Sequence, residues 1–240
     1  MLVKNWMSKE VFTIDIHDSM RNADRLMKEL CISRLPVMKK GKLVGIVTDR
    51  DLKRASASDC NSLEIHELHY LLEETKVDEI MTRDPITVPP DYTLEEAAEI
   101  LLNNKISGVP VVEDNGQVVG IITQTDLFRA MVSITGVGKS GIQFGFLLED
   151  RPGSIKDVAD VIREYGGRMV SILSTYQRAP KGYRKVYIRM YEIDRMMLAM
   201  LKADLKTKAI VFYIIDHREN KREIFEDEYR DFIQEEAANY

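Results

Sequence analysis

The stretch Gly45-Ile46-Val47-Thr48-Asp49-Arg50-Asp51-Leu52 returns later in the chain as Gly120-Ile121-Ile122-Thr123-Gln124-Thr125-Asp126-Leu127. Two further stretches recur in the same order: Met7-Ser8 as Met81-Thr82, and Ile32-Ser33-Arg34-Leu35-Pro36-Val37 as Ile106-Ser107-Gly108-Val109-Pro110-Val111. The spacing between equivalent residues increases by one after Val37, because the second repeat has one residue more than the first in the turn that contains Lys39-Lys40-Gly41-Lys42. A duplication whose two copies differ in length only at a hairpin turn predicts two similar modules that pack on each other.

Composition places the chain among soluble globular proteins. Its 240 residues are enough for two ordinary domains, and 45% of them are hydrophobic and 30% charged. We expect a cytoplasmic protein, because no apolar run approaches the roughly 20 residues needed to cross a bilayer and the N-terminus lacks a signal-peptide layout. Cys31 and Cys60 have neither metal-ligand nor redox spacing, which argues against disulfides.

The net charge of −5 argues against a non-specific nucleic-acid binder, which needs a basic face. It leaves room for a small anionic ligand, because backbone amides and a few arginines are sufficient to bind one.

Each repeat predicts strand, helix, strand, turn, strand and helix. Apolar residues at helical spacing predict a helix over Asp18 to Leu30, and its counterpart over Thr93 to Asn103 opens with the capping box Thr93-Leu94-Glu95-Glu96. We place the first repeat at residues 1–60 and the second at 77–136. A connecting segment at 61–76 contains a helix predicted over Leu63 to Glu74.

Residues 137–217 follow a different pattern. They predict the order βαββαβ of a ferredoxin-like domain, with helices at Ser154 to Tyr165 and Ile193 to Leu205. The remainder, 218–240, is predicted to be an acidic helix or a frayed tail. The fold class is therefore α+β, with a tandem repeat followed by a ferredoxin-like domain.

Thr48 and Asp51 recur in the second repeat as Thr123 and Asp126. Each pair predicts a helix N-cap in which the threonine is the capping residue and the aspartate, at the third helical position, bonds back to it. A helix N-terminus next to a strand end also suits a phosphate, and a carboxylate one turn into the helix can accept both hydroxyls of a ribose. The residues by themselves leave the structural and the nucleotide-binding interpretations open.

The repeats resemble a tandem pair of CBS domains, a Bateman module, on their G-h-h-T-x-x-D and h-S-x-h-P-V motifs, where h is hydrophobic. This resemblance implies that an adenine nucleotide or a related adenosyl ligand binds in the clefts between the repeats, with no metal. The resemblance does not distinguish between AMP, ADP, ATP, S-adenosylmethionine and NAD as the ligand. The nucleotide-binding residues that it implies are Thr13, Ile14, Arg34, Pro36, Thr48, Arg50, Asp51, Thr87, Val88, Val109, Pro110, Thr123 and Asp126. Gly108 stands where the first repeat has Arg34, so we expect unequal clefts.

Residues 141 to 215 resemble an ACT domain, because the turn Asp150-Arg151-Pro152-Gly153 follows the first strand there. The resemblance implies pairing between subunits or binding of a small metabolite, such as an amino acid, at that turn. The order of the three domains is similar to that of the bacterial acetoin-utilisation B family.

We therefore predict a non-catalytic, homodimeric regulatory sensor that acts on an unidentified enzyme, without nucleic acid or membrane. Two alternatives remain: an enzyme of acetoin or nucleotide metabolism that uses the cleft carboxylates, and a structural dimeriser with vestigial pockets.

Overall fold

The computed structural model describes residues 1–59, 74–139, 141–225 and 230. The chain divides into two compact units, Met1–Phe128 and Arg129–Tyr240. The predicted connecting helix over Leu63 to Glu74 lies almost wholly outside the described residues.

The first unit contains the two repeats. Its helices are α1 (Met20–Glu29), α2 (Asp49–Asp59), α3 (Val77–Ile80), α4 (Leu94–Asn103) and α5 (Gln124–Ile134), the last of which ends in the second unit. Its strands are β1 (Ile14–Asp15), β2 (Arg34–Lys39), β3 (Lys42–Thr48), β4 (Thr82–Arg83), β5 (Gly108–Val112) and β6 (Val118–Thr123).

A side-chain cap begins a helix in each repeat, and the one at Thr93 was predicted from the sequence. The Ser19 hydroxyl accepts a hydrogen bond from the Asn22 N–H at 3.2 Å, which begins α1. In α4, Thr93 and Glu96 form the predicted capping box, in which each side chain accepts from the backbone N–H of the other. The buried apolar residues Met20, Ala23 and Met27 then orient α1 onto its sheet.

The two repeats exchange their first residues. Thr82 of the second repeat pairs with Ile46 in β3 of the first, and Ser8 of the first repeat pairs with Ile121 in β6 of the second. Ser8 and Ile121 donate to each other's carbonyl at 3.0 Å in both directions. The first sheet therefore gains the strand β4 from the second repeat, and β6 gains a single bridge from the first repeat.

The repeated methionine and the repeated glycine meet at these exchanged strands. A Cβ at Gly120 would overlap the Met7 side chain, and a Cβ at Gly45 would overlap the Met81 side chain. The glycine in each G-h-h-T-x-x-D motif therefore makes room for the methionine that begins the opposite repeat.

The second unit has the predicted βαββαβ order. It contains β7 (Ile142–Glu149), α6 (Ser154–Glu164), β8 (Arg168–Thr175), β9 (Tyr183–Tyr191), α7 (Leu198–Lys208), β10 (Ile210–Asp216) and an added strand β11 (Lys221–Ile224). All neighbours in its five-stranded sheet, β11-β10-β7-β9-β8, are antiparallel. Buried residues of alternate strand positions, including Phe144 and Phe146, pack with residues of α6 and α7 in one core.

Two expectations for the second unit are wrong. The second helix begins at Leu198 and not at Ile193, because Glu192 has a positive φ of 57° and the Asp194 carboxylate accepts from the Met196 N–H, which holds these residues in a turn. Residues 221–224 form a strand where a helix or a frayed tail was expected, since they pair with β10 beyond the turn after Asp216.

We expect Gly120→Ala to destabilise the first unit by about 1–3 kcal/mol, because the new methyl group must displace Met7 from the exchanged strand. The free energy of unfolding in urea measures this loss. Combined with Met7→Ala, the glycine substitution should cost less than it does alone, since the overlapping side chain is gone. Additive losses in the double variant would contradict this packing.

Candidate functional site

The two threonine–aspartate corners have the same geometry. The Asp51 carboxylate accepts from the Thr48 N–H at 3.0 Å and from the Thr48 hydroxyl at 2.6 Å, and the Thr48 hydroxyl accepts from the Asp51 N–H at 3.3 Å. Thr123 and Asp126 repeat the arrangement at 2.9, 2.6 and 3.3 Å. The predicted N-caps are confirmed, and both aspartates are buried.

Only one oxygen of Asp51 is occupied by the threonine. The other, Oδ1, accepts from Arg54 Nη2 at 3.0 Å, and the Arg54 side chain is 73% exposed. Asp51 is buried, but solvent reaches the exposed guanidinium of Arg54, which weakens the pair. A ligand hydroxyl can therefore replace Arg54 at this oxygen without disturbing the helix cap.

A cleft of about 390 Å³ opens at the first corner, within the size range of small-molecule sites. It is bounded by the end of β3 and the start of α2 from the first repeat, and by two loops of the second repeat around Asp84 and Ser107. Its residues are Ser33, Arg34, Ile46, Thr48, Asp49, Arg50, Asp51, Thr82, Asp84, Pro85, Ile86, Lys105, Ile106, Ser107, Gly108, Val109 and Gln124.

A second cleft, of about 830 Å³, lies at the equivalent place in the other repeat. It is lined by Thr123 and Thr125, by residues 8–10 and Phe12, and by a loop that includes Cys31. Arg34, Ser33, Ser107 and Gln124 line both clefts.

The clefts differ in their other charged residues, although Arg34 lines both. The first has the cations Arg34, Arg50 and Lys105. At the positions equivalent to Arg50 and Lys105, the second has the uncharged Thr125 and Cys31. The first cleft also has the carboxylates Asp49, Asp51 and Asp84, and the second has Lys9 and Glu10, so the formal charges sum to zero in the first cleft and to +1 in the second.

Arg34 spans the wall between the clefts. Its Nη2 donates to the Ser107 hydroxyl at 2.9 Å and approaches that of Ser33 at 3.5 Å. A Cβ at position 108 would overlap this guanidinium, so Gly108 leaves the space that Arg34 fills. The second repeat thus lacks its own arginine, yet it has the arginine of the first at its cleft.

The environment of Arg34 is unusual for a cation. The residue is only 8% exposed, and burial lowers the pKa of its guanidinium, while the charges of Asp49 and Asp126 act in the opposite direction. Within the described residues it forms no ion pair. Buried charges are normally paired, so this position favours an anion supplied from outside the chain.

The other predicted nucleotide-binding residues lie in the two clefts, in a separate groove and in the buried strands. Arg50 and Val109 line the first cleft, and Thr123 the second. Thr13 and Thr87 border a separate open groove beside the two hairpin turns. Ile14, Pro36, Val88 and Pro110 are buried in or next to the strands, where their side chains support the sheets.

Sequence reasoning missed the role of the serines. Ser33 and Ser107 recur in the repeated motif, immediately before Arg34 and Gly108. That recurrence was a signal that the hydroxyls face the clefts, and both line them.

In the second unit, a cavity of about 560 Å³ lies near the Asp150–Gly153 turn. Of the four turn residues only Arg151 lines it, together with Ser154, Tyr183, Lys206 and other residues. Arg151 donates to Asp157 at 2.8 Å and to Glu149 at 3.0 Å, which raises the pKa of its guanidinium. Gly153 has a φ of 88°, a conformation that favours glycine at this corner.

The CBS domain family matches residues 3–58 and 77–133. A CBS domain-containing protein of Dictyostelium discoideum is 33% identical over 135 residues, which are 56% of this chain and 93% of that protein. An uncharacterised protein of Methanocaldococcus jannaschii is also 33% identical, over 55% of this chain and 92% of that protein. The chain belongs to the CBS domain family, and its first unit is a tandem CBS pair.

An inosine-5'-monophosphate dehydrogenase of Korarchaeum cryptofilum is 40% identical over 127 residues, which span 52% of this chain and 23% of that enzyme. Among solved structures, a CBS protein of Vibrio cholerae assigned to acetoin utilization (AcuB) is 29% identical, with a TM-score of 0.48 over 57% of this chain and 95% of that one. A CBS domain pair in complex with 5'-methylthioadenosine and S-adenosyl-L-methionine is 34% identical, with a TM-score of 0.47 over 55% and 99%.

None of the helices within the described ranges is both long enough and apolar enough to span a membrane. Over the same ranges, no three His, Cys, Asp or Glu side chains are grouped so that they could hold a metal ion.

Without ligand, we expect Arg34→Met to leave the free energy of unfolding unchanged or to raise it by about 1 kcal/mol, because it removes a buried charge that lacks an ion pair. Urea unfolding measures this. Arg189→Met is the contrasting variant: Arg189 is also buried, but it donates at 2.8 Å to both the Thr135 carbonyl and Gln143. Its loss should cost about 1–3 kcal/mol. An equal loss in Arg34→Met would show that Arg34 stabilises the fold.

Proposed function

We propose that this protein is a regulatory sensor that binds an adenine nucleotide or a related adenosyl ligand in the clefts of its CBS pair. The observation that supports this most is the first cleft, which is lined by a buried carboxylate at a helix N-terminus and by a buried arginine that has no ion pair among the residues the structure describes. Asp51 would accept the ribose hydroxyls through the oxygen that Arg54 now occupies.

The phosphate of such a ligand would bind next to the ribose. Arg34, Arg50 and Lys105 supply positive charge there, and the start of α2 adds N–H groups and the positive end of a helix dipole. A guanidinium is well suited to a phosphate, because it donates two parallel hydrogen bonds. Ile86, which is 41% exposed, provides apolar surface in the same cleft for a base.

The second unit would bind a small metabolite or pair with a second subunit, as the resemblance of its turn to ACT domains implies. Because Arg151 is already bonded to Glu149 and Asp157, a ligand carboxylate would compete with both for it. Lys206 and Ser154 border the same cavity and offer further donors.

The output would pass to a separate enzyme, and the protein itself would catalyse nothing. Asp51 and Asp126 each accept a hydrogen bond from the threonine of their own repeat, so the two carboxylates have similar surroundings. A catalytic acid and base pair instead needs two carboxylates whose surroundings shift their pKa values in opposite directions.

The first test is thermal unfolding with AMP, ADP, ATP, S-adenosylmethionine and NAD in turn. A ligand at 100 times its dissociation constant should stabilise the binding state by about 2.7 kcal/mol. In Asp51→Ala that shift should fall, because the ribose acceptor of the first cleft is lost, whereas the fold should lose only about 1–2 kcal/mol.

Thr93→Ala is the matched control, since it removes an equivalent helix cap that lines neither cleft. It should lower stability and leave the ligand-induced shift unchanged. The proposed function would be overturned if none of the five ligands shifted the unfolding temperature. It would also be overturned if both Asp51→Ala and Asp126→Ala kept the full ligand-induced shift.

Helix α5 supports the proposal of a homodimer. Phe128, Met131 and Val132 are 64%, 59% and 56% exposed and lie at positions i, i+3 and i+4, so they form one apolar stripe. The equivalent helix of the first repeat, α2, has Lys53 and Ser56 at the positions of Phe128 and Met131. A second copy of the chain is the occupant we propose, because like helices pair readily about a two-fold axis.

We expect Phe128→Asp to weaken the dimer at least about thirtyfold, the effect of losing an apolar anchor worth 2 kcal/mol. Sedimentation velocity over a range of protein concentrations measures the dissociation constant. Lys53→Asp, at the equivalent position of the first repeat, should leave it unchanged. A monomeric wild type, or equal effects of the two variants, would contradict this interface.

A further inference from the structure

Arg34 belongs to both clefts at once. It lines the first and the second, and its guanidinium occupies the space above Gly108 between them. The bond from Nη2 to the Ser107 hydroxyl, at 2.9 Å, holds it there. With an arginine at this motif position in both repeats, each cleft would have its own, whereas here Arg34 is the arginine at this position for both clefts.

Opposite charges attract Arg34 from both sides. Asp49 lines the first cleft, Asp126 caps the helix at the second, and both favour the charged guanidinium. Neither is bonded to it, since within the described part of the chain its hydrogen bonds go to the serine hydroxyls alone. Binding a phosphate on either side therefore requires no ion pair to be broken.

We propose that the two clefts share Arg34, which binds the phosphate of a ligand in only one of them at a time. This inference rests on the proposed function. A nucleotide in either cleft then lowers the affinity of the other for a second nucleotide, because a guanidinium that donates two parallel bonds to one phosphate is lost to the other cleft.

The size of this coupling follows from the bond that the second nucleotide loses. A hydrogen bond to a charged group contributes about 1.5–3 kcal/mol, which corresponds to roughly tenfold to a hundredfold in affinity. Asp51→Ala and Asp126→Ala isolate the second and the first cleft, so that each intrinsic dissociation constant is measured separately.

Isothermal titration of the full chain with AMP tests the inference. The second binding step of the wild type should be about tenfold to a hundredfold weaker than the weaker of the two isolated clefts. In Arg34→Gln, which removes the charge and keeps a hydrogen-bond donor, both clefts should bind AMP more weakly and independently. Arg34→Ala provides the same comparison if the glutamine perturbs the wall. Adenosine, which lacks a phosphate, should bind the two clefts without coupling.

Two equal and independent AMP steps in the wild type would overturn the inference and leave the proposed function intact. A coupling that persists in both Arg34 variants would do the same, because it would arise elsewhere. No binding of AMP, ADP, ATP, S-adenosylmethionine or NAD would instead overturn the proposed function, and the inference with it.

Discussion

The exchange of the first residues between the two repeats is the contact on which the site depends. Ser8 pairs with Ile121 and Thr82 with Ile46, and the methionine before each exchanged residue lies against the glycine of the opposite repeat. Backbone bonds of this kind fix the two repeats in one register. Loops of both repeats therefore meet at each threonine–aspartate corner, and neither cleft could form from one repeat by itself.

Arg34 shows how a site can depart from the rules that stabilise a fold. A methionine or leucine there would fill the space over Gly108 without the cost of burying a charge, yet an arginine occupies it without an ion pair. Residues that break a local rule with no structural compensation are expected at functional positions. Arg189 is also buried, but its Nε and Nη2 donate to the Thr135 carbonyl and to Gln143 of its own unit, while its Nη1 has no hydrogen-bond partner among the described residues.

The second unit is stabilised in a more ordinary way. Its alternating buried residues on β7 and β9 form a core with α6 and α7, and Asp216 accepts from the Arg218 and Glu219 N–H groups to begin the turn into β11. Arg195 pairs with the same carboxylate, and this hydrogen bond is the main reason that the pKa of Asp216 is lowered. This pair connects the segment before α7 to the end of β10, which helps to explain why the helix begins later than its apolar pattern predicts.

The sequence by itself determined the duplication, the family of the first unit, the helix caps at Thr48 and Thr123, and the βαββαβ order of the second unit. Each of these depends on local periodicity or on motifs within a few residues, which a single chain displays directly. Only the tertiary structure decided that Met7 lies against Gly120, that Arg34 crosses to Ser107, and that residues 221–224 form a strand. These depend on contacts between distant segments, and local propensity does not specify which segments meet. Gly108 illustrates the difference: from the sequence it is a missing arginine, and in the structure it is the space that the arginine of the other repeat occupies.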